Sequence, residues 1–208
     1  MRLSIVDCGV NNLASVSNAV AAAGFTPEVV TEPEQILAAD RLVLPGIGAA
    51  AEALRRLRSR NLDHALDEAV RKRGRPLLGI CLGMQMLAER LLEYGEHIGL
   101  GWIAGDVVAL DTIDGFAERS PHMGWNTIDV AGTADALLGR PRGERSYYFC
   151  HSYTLVTPDS DSVIATTDHG RPLVAAIRFD SVIATQFHPE RSHVNGARLF
   201  GAFGAWAP

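Results

Sequence analysis

The chain has 208 residues, of which 47% are hydrophobic and 21% are charged, and its formal net charge is −5 at pH 7. This length and hydrophobic content predict one globular domain over residues 1–208 with a substantial core. The weak negative charge excludes strong electrostatic attraction to nucleic acid or acidic membranes, so a small-molecule substrate or a protein partner is expected.

Three further features narrow the class of protein. No apolar run approaches the roughly 20 residues of a membrane span and no charged leader precedes the first predicted strand, so we expect a cytoplasmic protein. The chain has three cysteines, Cys8, Cys81 and Cys150, an odd number without CxxC spacing, which argues against a disulfide framework or a zinc ribbon. We expect neither a metal nor a cofactor. Lys72 is the only lysine, which excludes a GxxxxGK[ST] phosphate loop.

The first part of the chain alternates predicted strands and helices. The pattern predicts a strand over 3–6, a helix over 13–23 ended by Gly24, and strands over 25–30, 41–44 and 77–80. Such βαβ alternation predicts a parallel sheet with helices on both faces. The functional site is then expected at the carboxyl ends of the strands.

Arginines are concentrated between residues 55 and 75. Leu54, Leu57, Leu62 and Leu66 keep helical spacing through this region, which predicts an amphipathic helix pair whose arginines face water. A nucleic-acid surface is the less favoured interpretation.

The segment Gly79-Ile80-Cys81-Leu82-Gly83 follows the strand over 77–80. We expect it to open an amphipathic helix carrying apolar residues at 84, 86, 87 and 91. Glycines two residues on either side of Cys81 permit a sharp strand-to-helix turn that exposes a nucleophile above the sheet. The helix N-terminus then favours the thiolate. The alternative is that Cys81 is a small buried apolar residue.

Beyond about residue 99 the sequence becomes rich in short β segments that we expect to extend and flank the sheet. They are predicted over 102–110, 126–130, 147–153, 162–167, 173–179 and 182–187, followed by a helix over 194–203.

His188 and Glu190 follow the last of these strands and are two residues apart. In extended chain such residues project to the same face, so the carboxylate can accept the imidazole proton and stabilise the imidazolium. With Cys81 they form a candidate Cys-His-Glu triad. The alternative is that His-Pro-Glu only terminates a strand.

A glycine-rich loop, Pro45-Gly46-Ile47-Gly48, follows the strand over 41–44. Glycine lets the backbone turn an N–H toward a reacting carbonyl, so this loop and the amide of Leu82 are a candidate oxyanion hole. An ordinary βα turn is the alternative.

These segments together resemble the class I, triad-type glutamine amidotransferases, through residues 79–85 (GICLGMQ), the loop 45–48, and His188 with Glu190. Within that class, residues 7–16 (DCGVNNLASV), 121–126 (PHMGWN), 148–153 (YFCHSY) and 187–192 (FHPERS) are similar to the glutaminase subunits of imidazole glycerol phosphate synthases. The chain departs from the common pattern at Cys8, Cys150 and Arg191, none of which belongs to the candidate triad.

The resemblance implies a flavodoxin-like α/β fold and hydrolysis of L-glutamine to glutamate and ammonia. It implies that Cys81 is the nucleophile, that His188 and Glu190 assist it, and that Gly46, Ile47 and Leu82 form the oxyanion hole. Glutamine-binding roles are implied for Gly48, Gln85, Ser152 and Tyr153.

The resemblance also implies a heterodimer with a separate (β/α)₈-barrel cyclase, which uses the ammonia in histidine biosynthesis. Segments facing that partner would carry Asn12, His122, Trp125 and Arg191. A strand aromatic in the core is the alternative for Trp125 and for Tyr153.

Two rival functions remain at this stage. A glutaminase for another ammonia-dependent synthase, such as the one that makes pyridoxal phosphate, would share the triad, and a non-catalytic scaffold would share the fold. We further expect low activity in the isolated chain, with the Gly46-Ile47 peptide as a switch, because glycine allows its N–H to point away until a partner binds.

Overall fold

A computed structural model describes residues 1–9, 12–131, 137–138 and 145–208. Val10 and Asn11, which belong to the resembling segment 7–16, lie outside the described residues. The helices in the described part are α1 (Leu13–Ala22), α2 (Pro33–Ala38), α3 (Ala50–Ser59), α4 (Leu62–Leu66), α5 (Leu82–Gln85) and α6 (His193–Ala205). The strands there are β1 (Arg2–Val6), β2 (Thr26–Val30), β3 (Leu42–Gly46), β4 (Leu77–Cys81), β5 (Ala88–Leu91), β6 (His97–Ile98), β7 (Ile103–Ala109), β8 (His122–Thr127), β9 (Asp129–Val130), β10 (Ser146–His151), β11 (Tyr153–Val156), β12 (Val163–Asp168), β13 (Pro172–Phe179) and β14 (Val182–Thr185).

The largest sheet among the described residues has the strand order β2-β1-β3-β4-β14-β13-β12-β9. Strands β2, β1, β3, β4 and β14 pair in parallel, and β13, β12 and β9 continue the sheet in antiparallel fashion. The parallel part has the order of flavodoxin-like folds, with β14 as its fifth strand. The predicted α/β class with a mostly parallel central sheet is therefore confirmed.

Both faces of this sheet are buried, which explains why its strands are almost continuously apolar. Helices α1 and α6 pack through Val16, Val20 and Phe200 on one face, in the cluster that also holds Ile5 and Ile80. Helices α3 and α4 pack on the other face through their leucines. The arginine-bearing side of α3 faces water, as the spacing predicts. A π-helical turn, Asp67–Lys72, extends α4 and carries the exposed Arg71.

The prediction of a long amphipathic helix after Cys81 is wrong. Helix α5 ends at Gln85, and the chain continues as β5, paired in parallel with β7 and antiparallel with β6. The carbonyls of Met86, Leu87 and Ala88 accept hydrogen bonds from residues 100–103 instead of from a following helical turn. A Cβ on Gly99 would lie 2.0 Å from the Ala88 oxygen, so this close approach requires glycine. Tertiary pairing therefore overrides a helical pattern of apolar residues.

The second half also differs from its predicted layout. Strands β12, β13 and β14 extend the central sheet as expected, but β8 and β10 form a separate two-stranded sheet and β11, β7, β5 and β6 form another. The strand predicted over 147–153 is divided at Ser152, because His151 and Tyr153 pair with different partners. The strand predicted over 126–130 begins earlier and is divided into β8 and β9. Helix α2 was not predicted, although Pro33 at its start and the Glu32–Gln35 capping box are sequence signals for it.

Candidate active site

Cys81 lies at the junction of β4 and α5, where its backbone has φ 52° and ψ −109°. A positive φ is strained for any residue with a Cβ, and such strain is concentrated at functional sites. The flanking glycines serve close packing: a Cβ on Gly83 would lie 1.9 Å from the Leu44 oxygen, and one on Gly79 would lie 2.9 Å from the Ala184 Cβ. The strain therefore rests on the cysteine itself, while glycines let the surrounding strands approach.

His188 follows β14, the strand that pairs with β4, so it lies at the same edge of the sheet as Cys81. Its backbone N–H donates to the Tyr148 carbonyl at 2.8 Å. The Ser192 hydroxyl donates to the His188 carbonyl at 2.6 Å and accepts from the Tyr148 N–H at 3.0 Å. The histidine is thus anchored on both sides to strand β10.

The side chains of Cys81, His188 and Glu190 come together. His188 Nδ1 lies 2.7 Å from Glu190 Oε1, and these side chains are only 6% and 4% exposed. Burial lowers the pKa of His188, but hydrogen bonds and charge interactions with Cys81 and Glu190 outweigh it and raise that pKa to about 10. A cationic histidine beside a cysteine sulfur is the arrangement found in enzymes with a cysteine nucleophile.

The sulfur of Cys81 has two further polar neighbours. Gln186, which is fully buried, donates to it through Nε2 at 3.6 Å, and the Cys150 carbonyl oxygen lies 3.9 Å from it. Gln186 belongs to the QFHPE stretch, but sequence reasoning assigned it no role, because its contact with Cys81 depends on the fold.

The candidate residues surround a cavity of about 710 Å³. This volume is in the range of small-molecule sites. Of the predicted site residues, those that line the cavity are Asn12, Ile47, Gly48, Cys81, Leu82, Gln85, Ser152, Tyr153, His188, Glu190 and Arg191. Gly46, His122 and Trp125 do not line it.

The candidate oxyanion residues lie where β3 and β4 end. Gly46 is paired with Cys81 in the parallel register, and a Cβ on it would lie 2.9 Å from the Leu82 Cβ. Gly46 thus packs behind the turn, while Ile47, Gly48 and Leu82 face the cavity. Gly48 has φ +85°, which favours glycine.

The candidate glutamine-binding residues Gln85, Ser152 and Tyr153 also line the cavity. Gln85 donates through Nε2 to the Tyr153 carbonyl at 2.9 Å and to Gln186 Oε1 at 3.0 Å, which fixes its amide. Tyr153 is partly buried against the core rather than within it. Glu93 and Tyr94 also line the cavity, and no sequence pattern had indicated them.

The four residues predicted to face a partner have different environments. Asn12 is exposed and caps α1, accepting from the Ser15 N–H at 3.3 Å. Trp125 is 49% exposed and stacks on His193, which excludes the core alternative for it. Arg191 is exposed and lies 4.2 Å from the centre of the Tyr148 ring.

His122, the fourth of these residues, does not face outward as the other three do. Its side chain is turned inward and the residue is only 4% exposed. The alternation of strand β8 explains this, since Met123 and Trp125 on the other face are exposed.

In the part of the chain that the structure describes, no three metal-binding side chains are grouped so that they could hold an ion. No helix there has the length and apolar character needed to cross a membrane.

The chain is similar to known proteins over nearly its whole length. The family described as glutamine amidotransferase class-I matches residues 4–203. The chain is 43% identical to the imidazole glycerol phosphate synthase subunit HisH of Zymomonas mobilis, over 99% of the chain and 96% of that relative. It is 44% identical to the subunit of the same name from Rhodopirellula baltica, over 99% of the chain and 98% of that relative.

Two solved structures show a similar fold. PurLQS from Thermotoga maritima has a TM-score of 0.73 at 18% identity, covering 98% of this chain and 97% of its own. The CTPS glutaminase domain of Trypanosoma brucei, solved with bound acivicin, has a TM-score of 0.69 at 17% identity, covering 99% of this chain and 92% of its own.

Proposed function

Since this chain belongs to the class-I glutamine amidotransferases and, within them, to the family of the HisH subunits of imidazole glycerol phosphate synthase, we propose that it hydrolyses L-glutamine to glutamate and ammonia for that synthase. The observation that carries the proposal is the strained Cys81 beside the buried His188–Glu190 pair, at the wall of a cavity of about 710 Å³.

The first half of the proposed reaction forms a thioester. The Cys81 thiolate attacks the side-chain carboxamide carbon of glutamine, and the carbonyl oxygen becomes an oxyanion. On this proposal, backbone N–H groups of the 45–48 loop and of Leu82 stabilise it, and the position of Ile47, Gly48 and Leu82 at the cavity supports that role. The protonated His188 donates its proton to the departing nitrogen, so that ammonia leaves and a glutamyl thioester remains.

The second half removes the acyl group. Neutral His188 takes a proton from a water molecule, whose oxygen attacks the thioester carbonyl carbon, and the carbon–sulfur bond breaks to release glutamate and the thiolate. Glu190 holds Nδ1 of His188 at 2.7 Å throughout, which fixes the tautomer and stabilises the imidazolium. Gln85, Ser152 and Tyr153, together with Gly48, bind glutamine on this proposal.

Ammonia is protonated in neutral water and then loses its nucleophilicity, so it must reach its acceptor without release. The relatives are named as synthase subunits, which implies a further subunit. We propose that the partner is a (β/α)₈-barrel cyclase and that the two work in the cytoplasm. An exposed apolar patch formed by Met123, Trp125 and Val194, beside the cavity residue Arg191, is the proposed contact face.

The rival scaffold function and the enzymatic function are separated by Cys81→Ala. We expect this variant to lose glutamine-dependent synthesis in the complex and to keep synthesis from added ammonium salt, because only the nucleophile is removed. Cys8→Ala removes a buried thiol that does not line the cavity, and both activities should remain. A Cys81→Ala complex that still used glutamine would refute the proposed function.

A further inference from the structure

A pair of buried histidines adjoins the glutamine cavity: His151 lines it and His122 does not. His122 on β8 and His151 at the end of β10 face each other across the antiparallel pair and are 4% and 6% exposed. Nδ1 of His122 lies 3.0 Å from Nε2 of His151. The proposed reaction uses neither side chain.

The neighbouring groups determine which nitrogen carries each proton. The Thr127 N–H donates to Asn126 Oδ1 at 2.8 Å, which orients the Asn126 amide. Its Nδ2 group then donates to Nε2 of His122 at 3.1 Å and to the Asp168 carbonyl at 2.7 Å. His122 must therefore carry its proton on Nδ1 and donate it to Nε2 of His151.

The same reasoning fixes His151. Its Nε2 accepts from His122, so its proton lies on Nδ1, which donates to the Tyr153 carbonyl at 2.8 Å. All four ring nitrogens are thereby satisfied with both rings neutral. Desolvation by burial lowers the pKa of His151 to about 3 and that of His122 to about 4, so the neutral pair persists at physiological pH.

The chain of hydrogen bonds continues to the proposed nucleophile. The Tyr153 carbonyl also accepts from Gln85 Nε2 at 2.9 Å. Gln85 Nε2 donates in turn to Gln186 Oε1 at 3.0 Å, and Gln186 Nε2 donates to the Cys81 sulfur at 3.6 Å. One carbonyl group therefore joins the histidine pair to the amides that contact the glutamine cavity and the sulfur.

We propose that His122 and His151 are positioning residues for glutamine hydrolysis, and that their hydrogen-bond chain holds the Tyr153 carbonyl and, through it, the Gln85 and Gln186 amides in reactive geometry. This inference rests on the proposed function. The energetic reason is that a nucleophile and a bound carboxamide must be held to within a fraction of an ångström. A buried polar chain with every member satisfied provides such rigidity.

The test compares His122→Asn with His122→Leu in the complex with the partner subunit. In the Asn variant the side-chain Nδ2 is bonded to Cγ, as Nδ1 is in His122, so it can still donate a hydrogen bond to His151. The Leu variant has no donor there. We expect His122→Leu to lower kcat and raise KM for glutamine, with kcat/KM falling by about tenfold or more, and His122→Asn to stay within about threefold of the unaltered protein. Loss of folded protein alone would lower apparent kcat and leave KM unchanged.

A second readout does not depend on glutamine hydrolysis. Iodoacetamide labelling of Cys81 is followed by mass spectrometry on its tryptic peptide, which contains neither Cys8 nor Cys150. We expect slower labelling in His122→Leu and an unchanged rate in His122→Asn. The inference is overturned if both variants match the unaltered protein, or if both lose activity equally with KM unchanged. An unaltered complex without glutaminase activity would refute the proposed function instead, and the labelling rates would still decide the role of the histidines.

Discussion

At the scale of single residues, the site depends on how Cys81 and Glu190 affect the protonation of His188. Burial alone would lower the pKa of His188, yet Cys81 and Glu190 raise it to about 10. The His188 ring therefore stays protonated through neutral pH and can donate its proton to the departing ammonia. Because this raised pKa favours the folded state, its contribution to stability is complete below about pH 6.5 and is lost as the pH rises toward 10.

Glu190→Gln tests this electrostatic arrangement. The amide oxygen can still accept from Nδ1, so the ring orientation is kept while the charge is removed. We expect kcat to fall by about 10²-fold at neutral pH. The alkaline limit of activity should also move to lower pH, because the pKa of His188 falls. Steady-state kinetics as a function of pH checks both effects, and an unchanged alkaline limit would contradict the assigned role of Glu190.

The neutral pair His122 and His151 leads to a different prediction, that the folded chain loses stability in acid. Because the pKa values of His122 and His151 are lowered from 6.5 in the folded chain, the unfolded chain binds more protons below that pH. The free energy of unfolding should therefore fall as the pH drops from about 6.5 toward 4, by up to about 1.4 kcal/mol per pH unit for each histidine. Urea unfolding across this range should give a shallower slope for His122→Asn. The matched control is His64→Asn, which removes an exposed histidine. Equal slopes for His122→Asn and the unaltered protein would contradict the assignment of a neutral pair.

At the scale of elements, the geometry of the site depends on how closely β3, β4 and α5 approach. Gly83 lies against the backbone of Leu44, and no rotamer change can relieve a clash with a backbone oxygen. Helix α5, only four residues long, is held by this packing rather than by helix propensity.

Gly83→Ala should therefore destabilise the chain by about 2 kcal/mol or more and disorder the turn at Cys81. Gly201→Ala is the matched control, because a Cβ at Gly201 in α6 meets no atom within 4 Å. It should be neutral or stabilising by up to about 1 kcal/mol. Chemical unfolding of both variants checks this, and equal stability would show that the turn tolerates a wider spacing.

Elements were predictable where local pattern and tertiary pairing agree. The central strands, α1, α3 and α6 follow their apolar spacing, because each buries a face that its own sequence defines. The prediction of a long helix after Cys81 failed because the backbone N–H groups of residues 100–103 bind the carbonyl groups that such a helix would use. A local sequence pattern cannot reveal this long-range pairing. The sequence predicted that the turn at Cys81 and the His188–Glu190 segment belong to one site. It could not reveal that His122 points inward or that Gln186 contacts Cys81, since both depend on which strands become neighbours.

At the scale of the whole molecule, the cavity and the exposed apolar patch lie side by side. Arg191 lines the cavity and lies over Tyr148, which also contacts Trp125 edge to face. Trp125 in turn stacks on His193, whose neighbour Ser192 holds the His188 carbonyl. A partner that covers Trp125 would therefore contact the segment that carries the proposed base.

Trp125→Ala should weaken binding of the cyclase by about tenfold or more, as expected for an aromatic anchor. Ile98→Ala removes an exposed apolar side chain on β6 that does not line the cavity, and it should leave affinity unchanged. Titration calorimetry measures both. Equal affinities would place the interface elsewhere on the chain.

The most direct test of the account is glutamate release from L-glutamine by the purified chain, alone and with the cyclase and its ribonucleotide ligand. We predict low activity alone and strong stimulation in the loaded complex, because unused ammonia would waste glutamine. Substantial activity alone with no response to the cyclase would contradict the proposed partner, and no glutamate release in either mixture would contradict the proposed chemistry.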